Sequence, residues 1–289
     1  MRVHRSGPAR RLRRPTATVA ALLLTLFALL CGTVGPATAA GPAATPGTDA
    51  PEPTHPGQDW AGSQVAKHEG GTGPSVAPSV QASVEGVDVS SHQGNVAWST
   101  LWNSGVKFAY VKATESTSYT NPYFAQQYNG SYNVGMIRGA YHFALPNTSS
   151  GAAQANYFVD HGGGWSRDGK TLPGALDMEY NPYGATCYGK SATALVDWMK
   201  DWFATYKART GRDAVLYTST NWWKQCTGNY AGFGNTNPLW VPRYGSSVGE
   251  LPAGWGYHTI WQYTSTGPTV GDHNLFNGAY DRLQALANG

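Results

Sequence analysis

No acidic residue stands among the first forty positions, where six arginines crowd into the first fourteen. Without that end the chain carries 14 basic against 17 acidic residues, so its formal charge of +3 belongs to a leader. No basic surface is left over for a nucleic-acid partner. A bilayer-spanning apolar run is also missing: Val19 to Cys31 falls short of the roughly 20 residues a spanning helix needs. A basic start, a short apolar core and the small-residue end Ala37-Thr38-Ala39-Ala40 read instead as a secretory signal over residues 1–40, cleaved near Ala39 or Ala40. The expected product is secreted and extracellular, with no membrane association in its mature form. Cysteine is scarce, three in all. Cys187 and Cys226 lie beyond the leader and are expected to pair as a disulfide in an oxidising compartment. A lone pair without clustered His or Asp offers no metal-ligand spacing, so neither a metal nor a cofactor is expected.

Large apolar residues are nearly absent from 41–83, which is rich in Pro, Gly, Ala, Ser and Thr. Such a stretch cannot bury enough surface to fold alone and reads as a linker or disordered arm, broken near Trp60. Residues 84–289 carry 13 basic and 13 acidic residues without an evident boundary, which one sizeable domain accounts for. Strand-like runs in it are EGVDVSS, KFAYVKAT, IRGAYHFAL, PGALDMEY, DAVLYTS, PLWVPRYG and YHTIWQYT. Helical patterns alternate with them: AWSTLWNSG, NPYFAQQYNGSYNVG, SSGAAQANYFVDHG and SATALVDWMKDWFATYKARTG. The last, opened by Ser191 and closed by Gly211, sets Ala194, Trp198, Trp202, Phe203 and Tyr206 at helical spacing, a core-packing stripe. Strand and helix in turn predict an α/β fold, a compact, TIM-like β/α barrel. From PLWVPRYG onward no helical segment separates the strands, so the second half is expected to be irregular or partly antiparallel.

Acids carry the functional signal. In GALDMEY, Asp177 and Glu179 are two apart on a strand and point to the same side, with Met178 facing the other way. Two unpaired carboxylates cannot face a dry core. Set a strand repeat apart, roughly 6 to 7 Å between Cα atoms, they suit glycoside hydrolysis: one protonates a leaving oxygen while its neighbour stays charged. Ordinary solvated acids at a strand end are the bland alternative. Asp88 in the first strand of the domain and Asp272 after the last strand candidate add weight, because first and last strands of a barrel are neighbours.

The runs GVDVSSHQGNVAW, FAYVKATE, GAYHFA, ALDMEY, WQYT and DHNLFNG stand in this order, which resembles glycoside hydrolase family 25, the Chalaropsis-type lysozymes that bacteria such as actinomycetes secrete. The resemblance covers nearly all of residues 86–280. It implies an N-acetylmuramidase that cuts the β-1,4 bond between N-acetylmuramic acid and N-acetylglucosamine in bacterial peptidoglycan, on a modified β/α barrel. The family's general acid falls on Glu179, its partner on Asp177, and two flanking cleft acids on Asp88 and Asp272. Three positions depart from the family's habit: Ser116 where Gly is frequent, Asn121 where Asp is frequent, and His273 where an aliphatic residue is common.

Asp177 has three possible roles: nucleophile, base toward water, or a group orienting the substrate's own N-acetyl oxygen for attack, the route the resemblance favours. Tyr141, Tyr180, Trp261 and Tyr263 are candidates for packing against sugar faces, with core packing the alternative for each. His92 and His142 read as hydrogen-bonded structural residues and Lys112 with Glu115 as an internal pair. A family 18 chitinase fails at Ala175, which stands where its acidic pattern needs another Asp. A wall-binding module without activity would have no use for all four acids, and an amidase or endopeptidase would need a metal or a Cys/His site. The expected partner is therefore the peptidoglycan glycan strand, met by a monomer.

Overall fold

The computed structural model describes residues 59–74, 77–79 and 82–289; the expected export signal over 1–40 lies outside them. Seven strands coincide with the runs read from the sequence: β1 (Ser83–Val89), β2 (Phe108–Glu115), β4 (Ile137–Phe143), β5 (Ala175–Asp177), β6 (Val215–Tyr217), β7 (Leu239–Pro242) and β8 (Ile260–Thr264). An eighth, β9 (Asp272–Asn277), pairs with both β8 and β1 and closes a barrel, while the two-residue β3 (Tyr119–Thr120) pairs only with β2. From β1 to β8 every barrel neighbour runs parallel; β9 alone is antiparallel to both of its partners. The sequence DHNLFN has no β-branched residue and only Leu275 and Phe276 as apolar members, which is why it escaped reading as a strand.

Parallel neighbours need crossovers, and helices supply most of them. These are α2 (Trp98–Asn103), α3 (Phe124–Asn133), α4 (Gly151–Phe158), α5 (Ala192–Thr210) and α6 (Thr220–Thr227). No helix joins β7 to β8, as the sequence led one to expect, and α7 (Tyr280–Asn288) follows β9. In α5 the Ser191 hydroxyl accepts from Ala194 N, and Gly211 ends the helix at φ 75°, left-handed backbone that glycine adopts without a Cβ clash. Its Trp198, Trp202, Phe203 and Tyr206 are buried with Leu176 and Met178 in the layer between helices and barrel, so the aromatic stripe is core; Ala194 is exposed. Inside the barrel, Phe108, Tyr110, Tyr141 and Trp240 pack in one buried cluster.

Two local irregularities position polar groups. The β2–β4 register shifts between Lys112 and Thr114, so residues three apart on β2 can meet: Lys112 Nζ lies 2.5 Å from Glu115, both fully buried. Ser116, just beyond, sits at φ 50°, left-handed backbone that explains the family's preference for Gly there. His142 bonds Thr114 and Gln154 with its two ring nitrogens, and burial lowers it to about 4, a neutral structural histidine.

Cys187 and Cys226, 39 positions apart in sequence, form a disulfide with Cα atoms 5.3 Å apart. It ties the loop after β5 to α6. Tyr188 in that loop donates to the main-chain oxygen of Glu179 at 2.9 Å, so the crosslink braces the acid's own backbone. Replacing both cysteines by serine is expected to cost about 3 to 4 kcal/mol in the chain-entropy account, or roughly 10 °C in Tm for a domain of this size. An unchanged melt would contradict that bracing role.

The stretch 41–83 read from composition as linker or disordered arm behaves otherwise where it is described. Residues 59–73 run into the barrel mouth and carry α1 (Val65–Glu69), with Ala61, Gln64 and Val65 buried. A low-hydrophobicity segment has no core of its own, but it can be ordered by a surface that hydrogen-bonds its main chain.

Candidate active site

Alternation along β5 sends Ala175 into the barrel and Leu176 and Met178 outward, which leaves Asp177 and Glu179 on the inner side at the mouth. Parallel strands all end at this rim. Because β9 is antiparallel it begins there instead, and the register sets Asp272 directly beside Asp88 near the end of β1. All four acids read from the sequence thus converge on one opening, each at most 4% exposed.

Their partners differ. Asp88 accepts from Gln262 Nε2 at 2.9 Å and Asn274 Nδ2 at 2.8 Å, so one of its oxygens is fixed by two amides. Asp177 has no hydrogen-bond partner on either oxygen. Glu179 accepts main-chain N–H bonds from Gly62 at 2.8 Å on one oxygen and from Gln64 at 3.2 Å on the other. Burial raises all four. Asp88 reaches about 7 against its amide bonds, and Glu179 reaches about 8 against the two N–H donors. Asp177 is pushed well above the usual carboxylate range by burial and then by the neighbouring Glu179 charge. Burial does the same for Asp272, reinforced by the charges of Asp88 and Glu179.

These raised values have a consequence for stability. Between the ordinary carboxylate value and the raised one, the folded chain holds protons that the unfolded chain releases, so unfolding becomes easier as pH rises through about 4 to 8. Buried Glu115, raised to about 7, acts in the same direction, while His142, lowered to about 4, and the lowered His258 and Asp168 oppose it on the acid side. Melts at constant ionic strength are expected to give a lower Tm near pH 8 than near pH 5; a Tm that climbs across that interval would contradict the raised acids.

The aromatic candidates divide. Tyr141 is buried edge-on to Trp240 with its hydroxyl at the mouth, accepting from Ala61 N at 3.3 Å. Tyr180 stacks on His68 with ring centroids 4.1 Å apart and also borders the opening. Trp261 and Tyr263 do not join them. On β8 it is Gln262 that faces inward to Asp88, so its neighbours point outward, packing with Leu275 and Val248, and Tyr263 donates to Glu85. Once the neighbouring strands set Gln262 as the inner residue of WQYT, alternation places both aromatics outside. Gln262 and Asn274, the amides that hold Asp88, carried no signal of their own in the sequence. Tyr183, which donates to Glu115 at 2.8 Å, went unread for the same reason. His273 points away from the cleft to Glu85 at 2.7 Å and reaches Asp88 only through its charge, one of the smaller influences that lower that acid.

Known proteins are similar to this chain. Lysozyme M1 of Streptomyces globisporus is 46% identical over 293 residues, covering 98% of both chains. The N,O-diacetylmuramidase of Chalaropsis is 49% identical over 210 residues, 71% of this chain and 100% of that one. Among solved structures, the muramidase from Acremonium alcalophilum superposes with a TM-score of 0.71 at 55% identity, covering 71% of this chain and 99% of its own. The sequence profile described as Glycosyl hydrolases family 25 matches residues 87–272, through the strands that supply all four acids, and the chain belongs to that family as a glycoside hydrolase with lysozyme activity.

Proposed function

We propose that this cleft cuts the β-1,4 bond between N-acetylmuramic acid and N-acetylglucosamine in bacterial peptidoglycan, with Glu179 as general acid and Asp177 orienting the substrate's own N-acetyl group. The observation that carries the reading is the pairing of two neighbouring acids of unlike surroundings. Asp177 is fully buried with both oxygens unpartnered, beside a Glu179 whose carboxyl is held up to about 8. An unpaired buried carboxyl is costly unless a ligand completes it. An acetamido N–H does so and turns the carbonyl oxygen toward the anomeric carbon. That oxygen attacks, the glycosidic C–O bond breaks, and the Glu179 proton goes to the departing oxygen. In the second half Glu179 takes a proton from water as the water attacks the same carbon, and the acetamide is restored with configuration retained. Asp88, fixed by Gln262 and Asn274, and Asp272 beside it set the field around the reacting carbon rather than exchange its protons.

The reading extends to the chain as a whole. Residues 1–40 direct export and are removed, residues 84–289 form the catalytic unit, and the enzyme acts outside the cell as a monomer. Mass analysis of fragments from purified peptidoglycan is expected to find muramic acid at every new reducing end. N-acetylglucosamine there would point to a glucosaminidase, and free amine without reducing sugar to an amidase. Amino-terminal sequencing of secreted protein is expected to start at Gly41 or later; a chain that starts at Met1 would contradict the export reading.

A further inference from the structure

We propose that residues 59–73 are an autoinhibitory plug: the chain's own segment occupies the cleft, engages Glu179 and must leave before a glycan can enter. This rests on the reading of that cleft as the muramidase site.

Three observations carry it. The first is what happens to the acid. Both oxygens of Glu179 accept main-chain N–H groups of the segment, from Gly62 and Gln64, so the segment's backbone lies directly against the carboxyl that a leaving oxygen has to reach. The second is the extent of the anchoring. At one end Lys112 Nζ donates to the Asp59 carbonyl at 2.6 Å and Trp60 stacks on His92 with ring centroids 4.4 Å apart. In the middle Gln262 Nε2, the amide that holds Asp88, donates to the Ala61 carbonyl at 2.9 Å. Farther along, Tyr180 and Asn221 donate to the two carboxylate oxygens of Glu69 at 3.0 and 2.9 Å. The segment thus consumes hydrogen-bonding groups around the acids, as a polar ligand would, and does so with backbone amides in place of sugar hydroxyls and acetamides.

The third observation is fit. Gly62 has φ +94°, and a Cβ there would stand 2.6 Å from Gln262 Oε1 and 2.9 Å from Tyr217 Oη and still closer to Tyr244 Oη. The segment can lie this deep only because a glycine faces those three side chains. The barrel itself closes through β1–β9 pairing without help from residues 59–73. Relatives matched along their whole length by 71% of this chain fit the same division between barrel and added segment. Tethered in the same chain, the plug competes at an effective concentration that free substrate does not match, and apparent activity falls with the fraction of chains left open.

Gly62→Leu tests the proposal without touching the barrel, since the new side chain has no room in the cleft. Two measurements are made on the chain from residue 41 onward, wild type and variant: the rate of reducing-sugar release from purified cell wall, and hydrogen exchange at the amides of residues 62 and 64. The expected result is slow exchange in wild type, exchange at the free-chain rate in the variant, and a rate on wall about tenfold or more higher in the variant, as release from a mostly closed state requires. A synthetic peptide of residues 59–73 added to the variant is expected to restore inhibition, and the same peptide with Leu at 62 is not. Equal, measurable rates for the two chains would overturn the proposal, as would free-chain exchange at both amides in wild type. If neither chain cuts wall, the muramidase reading fails instead, and the exchange rates alone then decide whether the segment sits in the cleft.

Discussion

Glu179→Gln, measured in a chain freed of its plug by Gly62→Leu, is expected to lower turnover on peptidoglycan by about 100-fold or more, the usual loss when a positioned general acid is removed. The amide keeps the shape of the carboxyl and cannot donate a proton of comparable acidity, so glycan affinity should survive while turnover does not. The effect is sharpened by the site's isolation. Of the other acids at this rim, Asp88 is tied to two side-chain amides and Glu115 is paired with Lys112, which leaves Asp177 and Asp272. A steady-state assay together with binding of a soluble glycan fragment separates the two quantities. Unimpaired turnover would remove Glu179 from its role, and lost binding with lost turnover would make it a substrate-holding group instead.

Asp177→Asn carries the second large effect and decides the route. In the proposed mechanism Asp177 ionises once the acetamido N–H gives it the hydrogen-bond partner it otherwise lacks, and its charge holds that N–H and offsets positive charge as the N-acetyl oxygen attacks. Its neutral isostere should therefore cost on the order of 100-fold in turnover, comparable to losing one preorganised polar partner of a transition state. The wild-type product should keep its anomeric configuration, read by proton NMR on the earliest product, and no sugar should become attached to the protein. Inversion would make Asp177 a base toward water, and a glycosyl ester trapped on Asp177 would make it the nucleophile. Both outcomes leave Glu179 as the acid and overturn only the assisted half of the proposal.

Several features of the site were already legible in the residues. Asp177 and Glu179 share a face because side chains on a strand alternate, a property of three consecutive residues that no distant contact alters. The caps of α5 at Ser191 and Gly211 and its buried aromatic stripe are equally local. The two aromatics of WQYT went to the wrong side because an alternating strand has two faces, and which of them is inner depends on the strands beside it. Helix α6 went unread because it starts directly from the end of the β6 run, its Ser219 cap standing inside DAVLYTS.

What the sequence determined by itself is therefore the set of short-range relations: seven strands, the acid pair, the helix ends, and the ordered motifs that resemble one family. The tertiary structure alone decided the rest. It turned β9 antiparallel, so that Asp272 begins a strand where Asp88 nears the end of one, and a strand's direction depends on its pairing partners rather than on its own residues. It also laid residues 59–73 in the cleft. That contact was illegible for a physical reason: Gly62 and Gln64 meet Glu179 through backbone N–H groups, which every residue but proline possesses, so no side-chain pattern records the match.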